Sequence, residues 1–177
     1  VAHQQSSSND TVITNTNNPV VVPAWTLLYN DTGADSVTAT SDPSGLTATP
    51  GVDNVTLSDS GGSFKYTTST TVTNVADGST SIVQTNASVA VSQGNNNALG
   101  GTSADNILID VRTNSTTLNG GDGNDVLIST ASSGSDILNG DAGNDYLDLM
   151  HERGAVLLDT EIVLGSNHLG YVGQPDK

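Results

Sequence analysis

Three stretches of one pattern, set at a regular interval, constrain this chain more than anything else in it. Gly120-Gly121-Asp122-Gly123-Asn124-Asp125-Val126-Leu127-Ile128 recurs in weaker form at Gly100 to Leu108 and at Gly140 to Asp148. In each, six glycine-led residues ending in an acidic place precede a triplet with a large apolar residue at its centre. Glycine permits backbone angles that a Cβ forbids, so the six residues read as a turn. The triplet reads as a short strand whose central side chain points inward. Inward positions are therefore expected at Ala98, Ile107, Leu118, Leu127, Leu138, Leu147 and Leu158, alternately 9 and 11 residues apart. Two such intervals make one coil, so the expected coil length is constant at 20 residues.

Written as G-G-x-G-x-D-x-U-x, with U a large apolar residue, the pattern resembles the nonapeptide of the repeats-in-toxin (RTX) proteins. The resemblance covers residues 93–158 and implies a short parallel β-roll that binds calcium. Calcium is a hard cation that takes six to eight oxygens at about 2.3–2.6 Å. One turn offers too few, whereas two stacked turns offer enough, so the ion is expected between coils. The positions implied as ligands are Gly100, Asp105, Gly120, Asp122, Gly123, Asp125, Gly140, Gly143 and Asp145. On this side the acidic place is filled by Asp105, Asp125 and Asp145, while the opposite side carries Asn96, Thr116, Asp136 and Val156. Two ions are therefore expected, one between the Asp105 and Asp125 turns and one between the Asp125 and Asp145 turns. Asp136 has no acidic partner one coil away and at best completes a poor site.

The formal net charge is −15, and of the acidic residues only Glu152 and Glu161 are glutamate. Short-armed aspartates suit turns, and their mutual repulsion predicts a stability that depends on divalent cations. Lys65, Arg112, Arg153 and Lys177 are the only strong bases and lie scattered, which argues against nucleic acid and anionic membranes as partners. There is no cysteine, so calcium takes the place of disulfides as the staple. The sequence contains no apolar run of about 18 residues, so no membrane insertion is expected. A chain that starts at Val1 without methionine is expected to be part of something longer, with its secretion specified elsewhere.

Residues 1–18 read as a polar linker with a possible leading strand around Val12 and Ile13. From Pro19 short β-runs alternate with turns such as Asn30-Asp31-Thr32-Gly33 and Asp59-Ser60-Gly61-Gly62. Strands are expected at Val20 to Leu28, Ser36 to Thr40, Leu46 to Thr49, Asn54 to Leu57, Ser63 to Thr68, Thr70 to Asn74 and Ser81 to Val91, with no helix. Trp25, just ahead of Leu27 and Leu28, is placed in the core with Phe64 and Val89 rather than left exposed to stack on a sugar. The run Val22-Pro23-Ala24-Trp25-Thr26-Leu27-Leu28-Tyr29-Asn30-Asp31-Thr32-Gly33-Ala34-Asp35, with Gly61-Gly62-Ser63-Phe64-Lys65-Tyr66, resembles the cadherin-like, immunoglobulin-like repeats of large bacterial surface proteins. That likeness covers residues 19–92 and implies calcium at Asp31 and Asp35, although Asx turns explain the same residues without an ion.

The expected architecture is all-β: a linker or leading strand over 1–18, an immunoglobulin-like sandwich over 19–92, a β-roll over 93–158, and a cap and tail over 159–177 that starts with a closing strand at Glu161 to Leu164. No catalytic constellation accompanies it. His151-Glu152 is followed by Ala155 where a zinc-protease motif needs histidine, and no G-x-S-x-G elbow occurs. The two resemblances together imply a non-enzymatic, calcium-dependent extender of a large RTX adhesin, exported by the type I route to the bacterial surface. Its expected partners are calcium, neighbouring adhesin domains and, through those, a cell-surface glycan or protein. A carbohydrate- or peptide-binding module and an accessory domain of a secreted hydrolase are the alternatives.

Overall fold

The computed structural model describes residues 6–16, 19–41, 46–95, 97–130, 136–148, 161–163 and 169–170. The first half contains β1 (Asp10–Thr14), β2 (Val20–Pro23), one helical turn α1 (Ala24–Leu27), β3 (Ser36–Ser41), β4 (Ala48–Pro50), β5 (Asn54–Leu57), β6 (Gly62–Thr73) and β7 (Thr80–Gln93). The second contains β8 (Ala98–Gly100), β9 (Asn106–Asp110), β10 (Thr117–Asp122), β11 (Val126–Ser129), β12 (Ile137–Ala142), β13 (Asp145–Asp148), β14 (Glu161–Val163) and β15 (Leu169–Gly170). The fold is all-β, and none of its helices is long and apolar enough to cross a membrane, among the described residues.

The repeat half winds into two parallel ladders. One is the four-stranded sheet β14-β12-β10-β8, and the other is the parallel part of an eight-stranded sheet ordered β15-β13-β11-β9-β1-β7-β6-β3. Between them lies a row of leucines: Leu108, Leu127 and Leu147 with Ile13 from one ladder, and Leu99, Leu118 and Leu138 from the other. A three-stranded antiparallel sheet, β2-β5-β4, contributes Val20, Val22, Val55 and Leu57 to a second core on the other side of the large sheet.

That second core contains residues from both halves of the chain. Val12, Ile107, Ile109, Val126 and Ile128 join Leu27, Phe64, Tyr66, Val89 and Val91 in it. Strands β9 and β11 are thus covered on both faces, and every one of their residues is buried. This is why they read as unbroken apolar runs, whereas β10 and β12, with one face in solvent, alternate. Strand β1 pairs in parallel with β7 on one side and β9 on the other, so one sheet runs across the boundary between residues 92 and 93.

Four expectations are corrected. First, the register of the opening coil is one residue later: Leu99 and Leu108 point inward in place of Ala98 and Ile107. Ala98 is exposed and Ile107 packs in the second core. The first coil therefore takes 19 residues, as Leu108 opposite Leu127 shows, and only the second takes 20, as Leu127 opposite Leu147 shows. The Ile107-Leu108-Ile109 run is ambiguous by periodicity, and the choice goes to the register that buries Leu99, not a single alanine methyl. Second, the strand expected over Val20 to Leu28 stops at Pro23, whose φ of −60° suits a helix start, and Thr26 donates its hydroxyl to the Pro23 carbonyl at 2.7 Å. Third, Trp25 is 37% exposed and meets Tyr146 edge to face, with ring centroids 4.8 Å apart. Fourth, the expected strands Ser63 to Thr68 and Thr70 to Asn74 are one continuous strand, β6. The leading strand and the closing strand do form, as β1 and β14. Val156 and Leu158 lie outside the described residues.

The register makes a direct prediction. Leu99→Ala should lower unfolding free energy by about 2–5 kcal/mol, the usual range for emptying a packed leucine site. Ala98→Ser should stay within about 0.5 kcal/mol, as exposed substitutions do. Denaturant unfolding of both variants measures this, and a larger loss at Ala98 would restore the other register.

Candidate metal centre at the acidic turns

Parallel stacking brings equivalent turn residues of successive coils next to each other, and here it produces two side-chain ladders. In the inner one, Asp145 accepts the Asp125 N–H on Oδ1 at 2.9 Å, and Asp125 accepts the Asn106 N–H on Oδ1 at 2.8 Å. In the outer one, Asn124 accepts the Asn144 N–H at 3.0 Å, and Asp105 accepts the Asn124 N–H at 2.7 Å. Each carboxylate or amide thus caps a backbone donor of the neighbouring coil that the strands leave unpaired.

The one-residue shift decides who belongs to the inner ladder. Its members are Asn106, Asp125 and Asp145, and Asp105 falls in the outer one, half-exposed beside the asparagines. Asp105 and Asp125, expected to flank one ion, therefore stand in different ladders. Asn106, in the acidic place, uses its Oδ1 to accept from the Thr102 N–H and hydroxyl. In the opening turn the residue that must be small is Gly101, where a Cβ would fall on the Gly120 carbonyl oxygen; a Cβ on Gly100, the position implied as a ligand, meets nothing.

Asp125 has one oxygen to spare. The residue is fully buried, and its Oδ2 has no hydrogen-bond partner. That oxygen lies against the bare face of Gly120, where a Cβ would collide with it and stand 2.8 Å from the Gly140 carbonyl oxygen. Asp145 Oδ2 bears the same relation to Gly140. Gly123 and Gly143 complete the close approach, with φ of 116° and 147° and the Ala104 and Gly123 carbonyls where their side chains would be. Asp122 is exposed at the end of β10.

Burial pushes the Asp125 carboxyl up to about 7, the Asn106 N–H opposes the shift, and the charges of Asp145, Asp105 and Asp141 add to it. Burial likewise raises Asp145, with Asp141 and Asp105 adding. The donors gathered here are carboxylate and carbonyl oxygens, the set that suits a hard divalent cation. Two carboxylates are too few for a side-chain cage, and among the described residues no three Asp, Glu, His or Cys converge on one point. A cation held here must therefore draw on the turn carbonyls, with Asp125, Asp145 and Gly140 as its first candidates.

Asp136, on the opposite side, is buried and uses both oxygens, accepting the Thr116 N–H at 2.9 Å and the Ser129 hydroxyl at 2.6 Å. Asn96 lies outside the described residues. Of the two other expected ligands, Asp31 accepts the Ser8 N–H at 2.6 Å, and Asp35 accepts the Thr70 hydroxyl. The residue that sequence reasoning missed is Asp10, buried in β1. The Tyr66 hydroxyl lies 2.9 Å from Asp10 Oδ2, 3.1 Å from Asp31 Oδ2 and 2.8 Å from the Leu27 carbonyl. One proton cannot serve all three, and Asp10 is pushed up to about 7 by burial, with Tyr66 opposing and Asp31 adding. Its signal in the sequence was an aspartate two residues ahead of the apolar Val12-Ile13 pair.

Comparison with family models, with curated proteins and with solved structures finds no match to this chain.

Asp10 and Asp125 set the sign of a pH effect. A carboxyl raised from 3.8 to about 7 on folding stabilises the fold below pH 4 and loses that contribution as pH rises towards 7. In chelator, thermal midpoints should therefore fall from pH 5 to pH 8, and Asp10→Asn should flatten the slope. A midpoint that climbs over this window would contradict the burial of both groups.

Proposed function

We propose that this chain is a calcium-stabilised structural segment of a large secreted bacterial adhesin of the RTX kind. In this reading residues 93–158 are a short β-roll and residues 19–92 an immunoglobulin-like, cadherin-like sandwich laid on it. The observation that carries the proposal is Asp125, a buried carboxylate with an unpartnered oxygen over a glycine crevice, stacked beside Asp145. An isolated buried charge is expensive, and a divalent cation shared between coils removes that cost. Calcium at the millimolar level of the cell exterior would then hold the coils in register and stiffen the rod. The job is positional rather than chemical: the segment sets the distance and direction of neighbouring modules, which bind a surface glycan or protein.

One observation favours a second reading. Trp25, Tyr29 and Tyr146 form a partly exposed aromatic cluster next to the acidic turns. Such rings can stack on a sugar, as in a carbohydrate-binding module. An extender binds no member of a glycan array, and a binding module does.

Melting in calcium and in chelator tests the main proposal. A ligand that binds only the folded form at a thousandfold excess over its dissociation constant stabilises by about 4 kcal/mol, a rise on the order of 10 °C for a chain of this size. Asp125→Asn should remove most of that rise, and Asp122→Asn should leave it. Equal midpoints with and without calcium would overturn the reading.

A further inference from the structure

The two longest strands reach past the neighbours that support them. Strand β6 is joined to β3 only between Lys65 and Ser69, and β7 is joined to β1 only between Val89 and Gln93. Residues 70–73 and 80–83 pair only with each other, as a bare ribbon closed by a turn over 74–79. Two strands alone are marginal in water, so such an arm gains from a cover. Its apolar groups are open: Val75 in the turn is 99% exposed and Ile82 on the ribbon 70%. The turn is ordered from within, since the Asn74 N–H donates to the Ser79 carbonyl at 2.7 Å. Asp77 Oδ1 accepts the Ser79 hydroxyl at 2.6 Å and the Ser79 N–H at 2.9 Å, and these bonds hold the carboxyl below its ordinary range. The arm thus ends in a negative charge and an uncovered valine on one turn.

The other end of β7 has the complementary features. There Gln93 stands beside Thr14, and Thr14 beside Ile109. Just past these strand ends lies an open cleft of about 440 Å³ lined by Thr16, Pro19, Val111, Arg112, Thr113 and Asn114. Arg112 donates its Nε to the Asn15 carbonyl at 2.8 Å, which fixes the guanidinium in place. Its terminal nitrogens have no hydrogen-bond or ion-pair partner among the described residues, in a chain whose net charge is −15. Pro19 and Val111 add exposed apolar surface. The other strong base among the described residues, Lys65, lies within β6 and not at this end. Strand β7 separates turn from cleft by about 40 Å, at roughly 3.3 Å per residue from Thr80 to Gln93.

We propose that the β6–β7 turn of one copy of this chain seats in the Arg112 cleft of the next, with the Asp77 carboxylate on the guanidinium and Val75 against Pro19 and Val111. A guanidinium presents a planar fork of donors that fits a carboxylate, and the valine covers the apolar rim. Because turn and cleft lie at opposite ends of one sheet, the contact is heterologous and repeats head to tail instead of closing on itself. The overall negative charge opposes it only weakly, since at about 0.15 M salt charges more than about 8 Å apart are largely screened. One exposed ion pair and one valine make a weak contact, formed at roughly millimolar concentrations of free chain. Copies tethered in a row would make it far more readily. The contact does not depend on calcium at the acidic turns.

The test is a concentration series of the full chain in calcium, read by amide NMR shifts and by translational diffusion. The contact requires the amides of Val75, Asp77 and Ser79 and those of Val111, Arg112 and Asn114 to shift together as concentration rises to about 1 mM, while diffusion slows. Asp77→Arg alone and Arg112→Glu alone should each abolish both effects, because each sets like charges against each other. An equal mixture of the two variants should restore them, since every turn then meets a cleft of opposite charge. Shifts confined to one of the two patches, or a mixture that behaves as its separate components, would overturn the contact. The wild-type series needs no variant, so static patches there overturn it even if Arg112→Glu fails to fold. A chain that gains no stability from calcium yet shows the paired shifts would overturn the proposed function and leave this contact standing.

Discussion

The structure depends on what happens when the backbone of one coil is laid directly on the next. Glycine carbonyls and aspartate side chains are packed where side chains would otherwise stand, and each inner-ladder carboxylate caps an amide one coil away. A ladder of this kind fixes register well, because a slip by one residue leaves buried donors unpaired, each at a cost of about 1–3 kcal/mol. It also concentrates negative charge. Asp105, Asp125, Asp141 and Asp145 act on one another at this end of the coils. The geometry that specifies the stacking is thus also the geometry that gathers negative charge between the coils, on which the proposed cation site rests.

The stacking reaches the other half through shared strands. Because β9 and β11 serve two cores, the turns that begin them cannot move without disturbing the layer of β2, β4, β5 and α1 above. Tyr146 makes the link concrete: it follows Asp145 in the chain and packs its ring against Trp25 and Tyr29. Strand β1 plays the same part at the other edge of the repeats, offering a parallel neighbour to β9 so that the first coil has no open end.

Much of this was legible in the residues. The glycine-aspartate turns, the inward leucines 118, 127, 138 and 147, and the all-β class follow from turn chemistry and periodicity. The failures are equally specific. Periodicity cannot choose between Ile107 and Leu108 when both faces of a strand are buried, and that single choice carried Asp105 into a ladder where it does not belong. Trp25 was assigned to the core by its apolar neighbours, yet Pro23 breaks the strand and turns the indole towards Tyr146. Asp10 was missed because it sits in a strand, where an aspartate announces no turn, and only the pairing of β1 with β9 reveals its surroundings.

The claim that coil stacking needs a cation between the acidic turns is tested most directly at the amides it protects. Hydrogen exchange at the Asn106 and Asp125 N–H groups, which donate to Asp125 and Asp145, reports that stacking residue by residue. The account predicts slow exchange in calcium and exchange at least about tenfold faster in chelator, with Leu127 and Leu147 following. Equal protection of the Asn106 and Asp125 amides in both conditions would contradict it.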